Sequence, residues 1–155
     1  MRQKSPRESP LTEPLMVRGR PPRSTARALL QSQGLPDSDI TDEHLKHFFF
    51  VGSVGSPLGL VGLELYGTDA LLRSLVVGEN ARGKGLGSTL VAHAEQYAST
   101  KGVRSLYLLT TTAEAFFKRL GYAQINRSQA PASIKETREF ASLCPASSAF
   151  MMKAL

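Results

Sequence analysis

The chain holds 155 residues, 41% of them apolar and 21% charged, with a formal net charge of +6. That is one domain with room for a core, and it excludes a fibrous repeat or a wholly disordered polymer. A single cysteine, Cys144, excludes an intramolecular disulfide and a cysteine-rich zinc site. No apolar run approaches the roughly 18 residues of a membrane helix. Positions 1–24 hold six basic and two acidic residues, so +4 of the charge sits in a leader rich in Arg, Ser and Pro. The body carries only +2, without the basic stripe and interleaved aromatics of a nucleic-acid surface. Residues 1–13 read as a disordered, solvated basic tail before one domain over 14–155. The N-terminus lacks an apolar stretch of signal-peptide length, so a soluble cytoplasmic protein is expected.

In chain order, Leu15, Met16 and Val17 predict a first strand within 14–20, ended by Pro21-Pro22. The spacing of Ala26, Leu29 and Leu30 predicts a helix capped by Ser24 and stopped near Gly34-Leu35-Pro36. Thr41, Glu43 and Leu45 open a second, short helix. Phe48 to Val51 and Leu58 to Tyr66, separated by Gly52, Gly55 and Pro57, read as a hairpin. After the turn Gly67-Thr68-Asp69, Leu71 to Val77 is the clearest strand. Leu86, Leu90, Val91, Ala94, Tyr97 and Ala98 mark one face of a helix closed by Gly102. Ser105 to Leu109 is a buried strand, and Ala113, Phe116, Phe117 and Leu120 recur at helical spacing up to Gly121. Tyr122 to Ile125 is a further strand, Pro131 to Leu143 a helix with proline in its first turn, and Ala149 to Met152 the last strand. Single helices between strands give an α/β or α+β class with a mixed sheet.

The densest chemical signal runs from Val76 to Thr89, where a strand enters glycines that open a helix. Backbone N–H groups converging there, with the helix dipole behind them, suit an anion. Glycine lets a phosphate approach the main chain, and Arg82 and Lys84 add charge. A tight turn without a ligand is the plainer alternative, weakened by Gly83, Gly85 and Gly87 alternating beside two cations. A P-loop is disfavoured, because Gly85 stands where Ser or Thr must hold magnesium. The strand ending at Thr110-Thr111-Thr112 also supplies no metal-binding aspartate. The dinucleotide pattern fails at Ser88. His44, His47 and His93 lack ligand spacing, so no metal is expected.

Arg82-Gly83-Lys84-Gly85-Leu86-Gly87, preceded by Leu75-x-Val77, resembles the Gln/Arg-x-x-Gly-x-Gly/Ala pattern of the GNAT acyltransferase superfamily. Ala113-x-x-Phe116-Phe117-x-x-x-Gly121-Tyr122 is similar to its Ala-x-x-Phe-Tyr-x-x-x-Gly-Phe block. Two such blocks in this order, one helix and one strand apart, extend the resemblance over residues 14–155. Leu71 to Val77, Leu106 to Thr112 and Cys144 to Ala149 look like a branch often associated with arsenic-resistance gene clusters.

The resemblance implies a GNAT-like fold in which central parallel strands around Leu75 and Leu108 splay apart between flanking helices. Acetyl-CoA would lie in that cleft as co-substrate. The backbone of Leu75, Val76 and Val77 would bond the pantetheine arm. The amides of Arg82, Gly83, Lys84, Gly85, Leu86, Gly87 and Ser88 would hold the pyrophosphate, and Phe116 and Phe117 would flank the thioester. An amine would attack directly, with a backbone N–H stabilising the oxyanion. Many such domains dimerise, and the helix Pro131 to Leu143 with the last strand is the implied homodimer surface.

One departure is Phe117, which occupies the position where the superfamily commonly places a tyrosine as general acid. A phenyl ring donates no proton, so the thiolate leaves unassisted, another donor serves, or activity is weak. Tyr122 nearby reads as a packed strand residue. Glu64, among Val61, Leu63 and Leu65, is the candidate base, with a surface strand position as an equal alternative. Arg73 inside a strand needs a partner or a ligand anion. Binding of a substrate carboxylate is expected there, with an ion pair to Glu64 as the rival. Thr110 and Thr112, with Thr111, would line the acceptor pocket, although helix capping by Thr112 is plainer. Cys144 reads as structural. The expected function is acetyl transfer to the amine of a small polar, anionic molecule, such as an amino acid or a toxic analogue of one. The alternative is a weakly catalytic acyl-CoA sensor. Neither reading needs nucleic acid or a membrane.

Overall fold

Alternating apolar residues build the sheet, and helices cover both of its faces. The structure is a computed structural model that describes residues 16–155, so the tail expected over 1–13 lies outside it. Seven strands form one sheet: β1 (Arg18–Gly19), β2 (Phe48–Gly52), β3 (Pro57–Tyr66), β4 (Asp69–Val77), β5 (Ser105–Thr110), β6 (Ala123–Gln124) and β7 (Ala149–Ala154). Their spatial order is β1-β2-β3-β4-β5-β7-β6, and among the described residues only β4 and β5 pair in parallel. The helices are α1 (Arg23–Ser32), α2 (Asp42–Leu45), α3 (Leu86–Thr100), α4 (Glu114–Arg119) and α5 (Ala132–Lys135). This is the mixed α/β architecture that the sequence predicts.

Side chains on a strand alternate between faces, and the core divides accordingly. Phe49, Val51, Val61, Leu63, Leu72, Leu106 and Leu108 pack with Leu86, Leu90, Val91, Ala94 and Ala98 of α3 and Phe117 of α4. On the other face Phe48, Phe50, Leu60 and Val76 meet Ala26 and Leu30 of α1, while Leu71, Tyr107 and Phe150 meet Ile134 of α5. Gly62 allows a close approach here, since a Cβ would lie 2.3 Å from the Phe48 ring.

Three local expectations need correction. Ser24 lies inside α1, whose N-cap is Pro22. Of the first strand expected within 14–20, positions 14 and 15 lie outside the described residues, and the strand found is Arg18–Gly19 rather than Met16 and Val17. The helix expected over Pro131 to Leu143 breaks into α5 and a π-helical turn, Glu139–Leu143. Thr137 causes that break, because its Oγ1 donates to the Ile134 carbonyl and accepts from the Phe140 N–H. No helix among the described residues is long and apolar enough to cross a membrane.

Candidate active site

β4 and β5 pair only through Asp69–Ser105, Ala70–Leu106 and Leu71–Tyr107, although both strands continue. The ladder between β3 and β4 shows what accompanies the parting: Leu60 faces Val76 and Gly62 faces Arg73, so Val61 alone opposes Ser74 and Leu75. This bulge bends β4, and Ser74 sits in the left-handed region at φ 61°. Such a backbone costs a non-glycine residue about 1–3 kcal/mol and marks a place held by its surroundings. Beyond Leu71, the β5-facing edge of β4 pairs with no strand. A cleft of about 360 Å³ opens there, walled by Leu72 to Leu75 and by Leu108 to Ala113, with Phe117, Glu139, Cys144 and Ser148 also lining it.

After β4 a short turn, Glu79–Ala81, leads into the exposed loop Arg82 to Gly85. Gly83 and Gly85 adopt φ 82° and 76°, and Gly85 is the N-cap of the 15-residue α3 without any side-chain cap. The first amides of a helix have no partner within it, so this end is suited to an anion. A Cβ at Gly83 or Gly85 would meet nothing within 4 Å, so the space before the loop is open. Gly87 serves packing instead, because a Cβ there would lie 3.2 Å from Phe116 Cζ. Arg82 donates to the Val77 carbonyl and to Gln33 Oε1, which ties the loop to the end of α1. Lys84 and Ser88 are exposed; Leu86 is buried, so only its backbone is available to a ligand.

Arg73, among the residues that line the cleft, is fully buried and occupied. Nη1 donates to Asp39 Oδ2 at 2.5 Å and Glu64 Oε2 at 2.7 Å, and Nη2 to Asp39 Oδ1 at 2.8 Å. Nη2 also pairs with Glu139 Oε2 at 3.1 Å, and Nε donates to Ser74 Oγ at 3.0 Å. The Arg73 guanidinium, expected to receive a substrate anion, is committed to three carboxylates, with the rival partner Glu64 among them. Burial works against ionisation of Asp39, yet the hydrogen bonds and charge of Arg73 outweigh it and hold that carboxyl below its ordinary value. Glu139 goes the other way: burial outweighs Arg73 and pushes its carboxyl up. Cys144 donates its thiol to Glu139 Oε1 at 3.6 Å, and burial together with that carboxylate pushes the thiol up to about 12. It is a protonated, half-buried thiol.

Glu64, the expected base, does not line this cleft. It opens onto a separate surface depression beside His44, His47 and Tyr66, where Tyr66 donates to its Oε1 at 2.5 Å. Asp39, His44 and Glu64 each bring a ligand atom within 4.8 Å of the others. All four of those carboxylate oxygens already accept from Arg73 or Tyr66, and His44 Nδ1 accepts from the Thr41 N–H. Thr110 and Thr112 line the cleft; Thr112 does not cap α4, whose N-cap is Ala113 without a side-chain cap, and Thr110 accepts from the Ala113 N–H. Phe117 lines the cleft, whereas Phe116 packs on Gly87. Leu75 lines it too, while Val76 turns into the core beneath α1. Tyr122 is buried and donates to Glu95, as a packed residue. Nothing in the sequence marks Asp39 or Glu139 as site residues, and Ser148 stands out there only as part of the segment Cys144 to Ala149. The available signal was Arg73 itself, since a guanidinium inside a strand demands carboxylates, but nothing local identifies which.

The Acetyltransferase (GNAT) family matches residues 16–122. An uncharacterised N-acetyltransferase of Chlorobaculum tepidum is 38% identical over 93 residues, 59% of this chain and 59% of that protein. The chain thus matches about three fifths of the length of this curated relative. Among solved structures, N-acetylglutamate synthase from Neisseria gonorrhoeae, complexed with coenzyme A and N-acetyl-glutamate, superposes with a TM-score of 0.76 at 18% identity. That match covers 92% of this chain and 35% of the synthase. Rv2747 from Mycobacterium tuberculosis, solved in complex with CoA, gives 0.73 at 20% identity over 90% of this chain and 99% of its own. An IAA acetyltransferase from Bacillus cereus gives 0.66 at 19% identity over 92% and 100%. At these identities the structures speak for the fold.

Proposed function

The chain belongs to the acetyltransferase (GNAT) family, and from that premise we propose that it moves an acyl group, most simply acetyl, from an acyl-CoA to the amine of a small polar molecule. The observation carrying this reading is the joining of an open strand edge to an uncapped helix start. β4 loses its partner after Leu71, and the glycine loop follows directly at its end. The residues present fit such a ligand: Gly83 and Gly85 leave open space before unmatched amides, which suits a pyrophosphate. The free edge at Leu75, Val76 and Val77 suits an amide-bearing arm. Amides from Arg82 to Ser88 would hold the phosphates, and Phe116 and Phe117 the apolar surface near the acyl end.

When bound, the acyl-CoA supplies an activated carbonyl. The chain's own part is orientation in the cleft, with Thr110 and Thr112 offering polar contacts to the acceptor. The anionic acceptor expected from Arg73 has less support, because that guanidinium already faces Ser74 and three carboxylates. The kinship with the arsenic-resistance branch rests on the three segments quoted above. It calls for phosphonate, phosphinate and arsonate amino-acid analogues among the test acceptors.

The test is acetyl-CoA binding by calorimetry, then free-thiol release across primary amines, amino acids and those analogues. Binding with release for one amine class supports transfer. Phe117 favours a second reading, a sensor that binds acyl-CoA without turning it over. Binding without release on any amine would select it.

A further inference from the structure

The inner end of the cleft holds more negative charge than positive. Arg73 is one guanidinium against Asp39, Glu64 and Glu139. Of these carboxylates only Glu139 lines the cleft. Asp39 spends both oxygens on Arg73, and Glu64 divides its two between Arg73 and Tyr66. Glu139 spends one oxygen on Arg73, while the other receives only the 3.6 Å contact from the Cys144 thiol.

Ser148 gives an independent sign. It lines the same cavity, is 6% exposed, and its Oγ is buried without a hydrogen-bond partner among the described residues. Buried hydroxyls are rarely left so, and each unmatched one calls for an explanation. The turn that carries it is fastened by Arg127, whose Nη2 donates to the carbonyls of Pro145 and Ser148.

A carboxylate oxygen with capacity to spare, an unmatched hydroxyl and a shortage of positive charge in one cavity fit a cation that donates hydrogen bonds. We propose that Glu139 and Ser148 form an ammonium subsite, that the acceptor is a primary amine bound there as its cation, and that Glu139 is the base that deprotonates it. This rests on the acyl-transfer reading and deepens it.

The charged and titratable groups facing Glu139 are Arg73 from β4, Glu64 from β3, Asp39 from the segment before α2, and Cys144 beyond its own turn. Burial holds the carboxyl above its ordinary range despite Arg73, and Asp39 and Glu64 push the same way. A base so raised holds a proton more firmly than a surface glutamate. In the step, one ammonium proton passes to Glu139 and from there to water. The freed lone pair attacks the thioester carbonyl, the C–N bond forms and the C–S bond breaks. The second proton shed by nitrogen leaves with the thiolate as the CoA thiol.

The test titrates the chain, alone and with saturating CoA, with n-butylamine and with butyrate, while melting curves monitor folding. The amine is expected to bind and butyrate not. Glu139→Gln should weaken amine binding at least tenfold and Ser148→Ala about threefold. Glu95→Gln, which removes a carboxylate paired with Lys153 and absent from the cleft lining, should change it less than twofold. In thiol release from acetyl-CoA with n-butylamine, the acid limb of kcat/KM should vanish in Glu139→Gln. No amine binding, a preference for butyrate, or equal amine binding in wild type, Glu139→Gln and Ser148→Ala would overturn the subsite. Amine binding that needs Glu139 without thiol release would leave the subsite standing and overturn acyl transfer together with the base. Thiol release indifferent to Glu139→Gln would overturn the base alone.

Discussion

Past Val77, outside the residues that line the cleft, the loop Arg82 to Gly85 forms the outer end of the candidate site: it is exposed, and the first amides of α3 lack a side-chain cap. At the inner end, Arg73 and its three carboxylates are buried and spend themselves largely on one another. Both ends concentrate charge, yet only the first offers it to a large ligand. An exposed backbone nest loses little by waiting for an anion, since water solvates it meanwhile. A buried guanidinium must be matched permanently, because desolvating it alone costs several kcal/mol. Arg73 is therefore consumed in fastening at the inner end, whereas the outer end presents exposed backbone amides on a loop that Arg82 ties to the end of α1; burial separates the two.

Arg73→Ala should produce the largest effect. Three buried carboxylates would lose their counter-ion, at a cost of about 3–5 kcal/mol measured by urea unfolding. If Arg73 served the substrate alone, stability would hold and only the acceptor KM would rise. Gly85→Glu attacks the other end, and should weaken acetyl-CoA binding at least a hundredfold, about 2.7 kcal/mol. Gly85→Ala separates charge from strain, because alanine carries only the left-handed backbone penalty of about 1–2 kcal/mol.

The buried end should also announce itself through pH. Asp39 is held below its ordinary 3.8, so its contribution is full above that value and is lost as pH falls through the lower folded one. Glu139 is raised above 4.5, so its contribution is present below that value and is lost as pH rises through the raised one. Melting temperature should therefore rise with pH across the first window and fall across the second. Asp39→Asn should remove the rise and Glu139→Gln the fall; two variants with the same profile would break the contrast. The smallest effect is expected from Gly87→Ala, whose new Cβ meets Phe116 at 3.2 Å. The helix propensity gained by alanine offsets the displaced ring, so stability should change by less than about 1 kcal/mol and acetyl-CoA affinity little.

The two ends also differ in how far they can be read from the chain. The glycine loop is built from consecutive residues whose backbone freedom is written in their identity, so the turn that Gly83 and Gly85 make at positive φ is legible in the sequence. The strands and α3 were legible for the same reason, through apolar spacing at two and 3.6 residues. The inner end draws on Asp39 in a connecting segment, Glu64 and Arg73 on adjacent strands, and Glu139 in a π-helical turn. Only folding brings these together. Arg73 advertised its need for a partner, and Glu64 answers part of it. Glu139 was hidden because a continuous helix over Pro131 to Leu143 was the natural reading, and the break at Thr137 depends on its hydroxyl bridging two backbone groups. The splay is accompanied by a bulge at Ser74, a residue with no special claim on a positive φ.

The most direct measurement is free-thiol release from acetyl-CoA in the presence of primary amines, with acetyl-CoA binding followed in parallel. The expected result is binding that Gly85→Glu abolishes, and release that depends on the amine. Acetyl-CoA affinity unchanged by Gly85→Glu, or no thiol release with any amine, would contradict acyl transfer in this cleft.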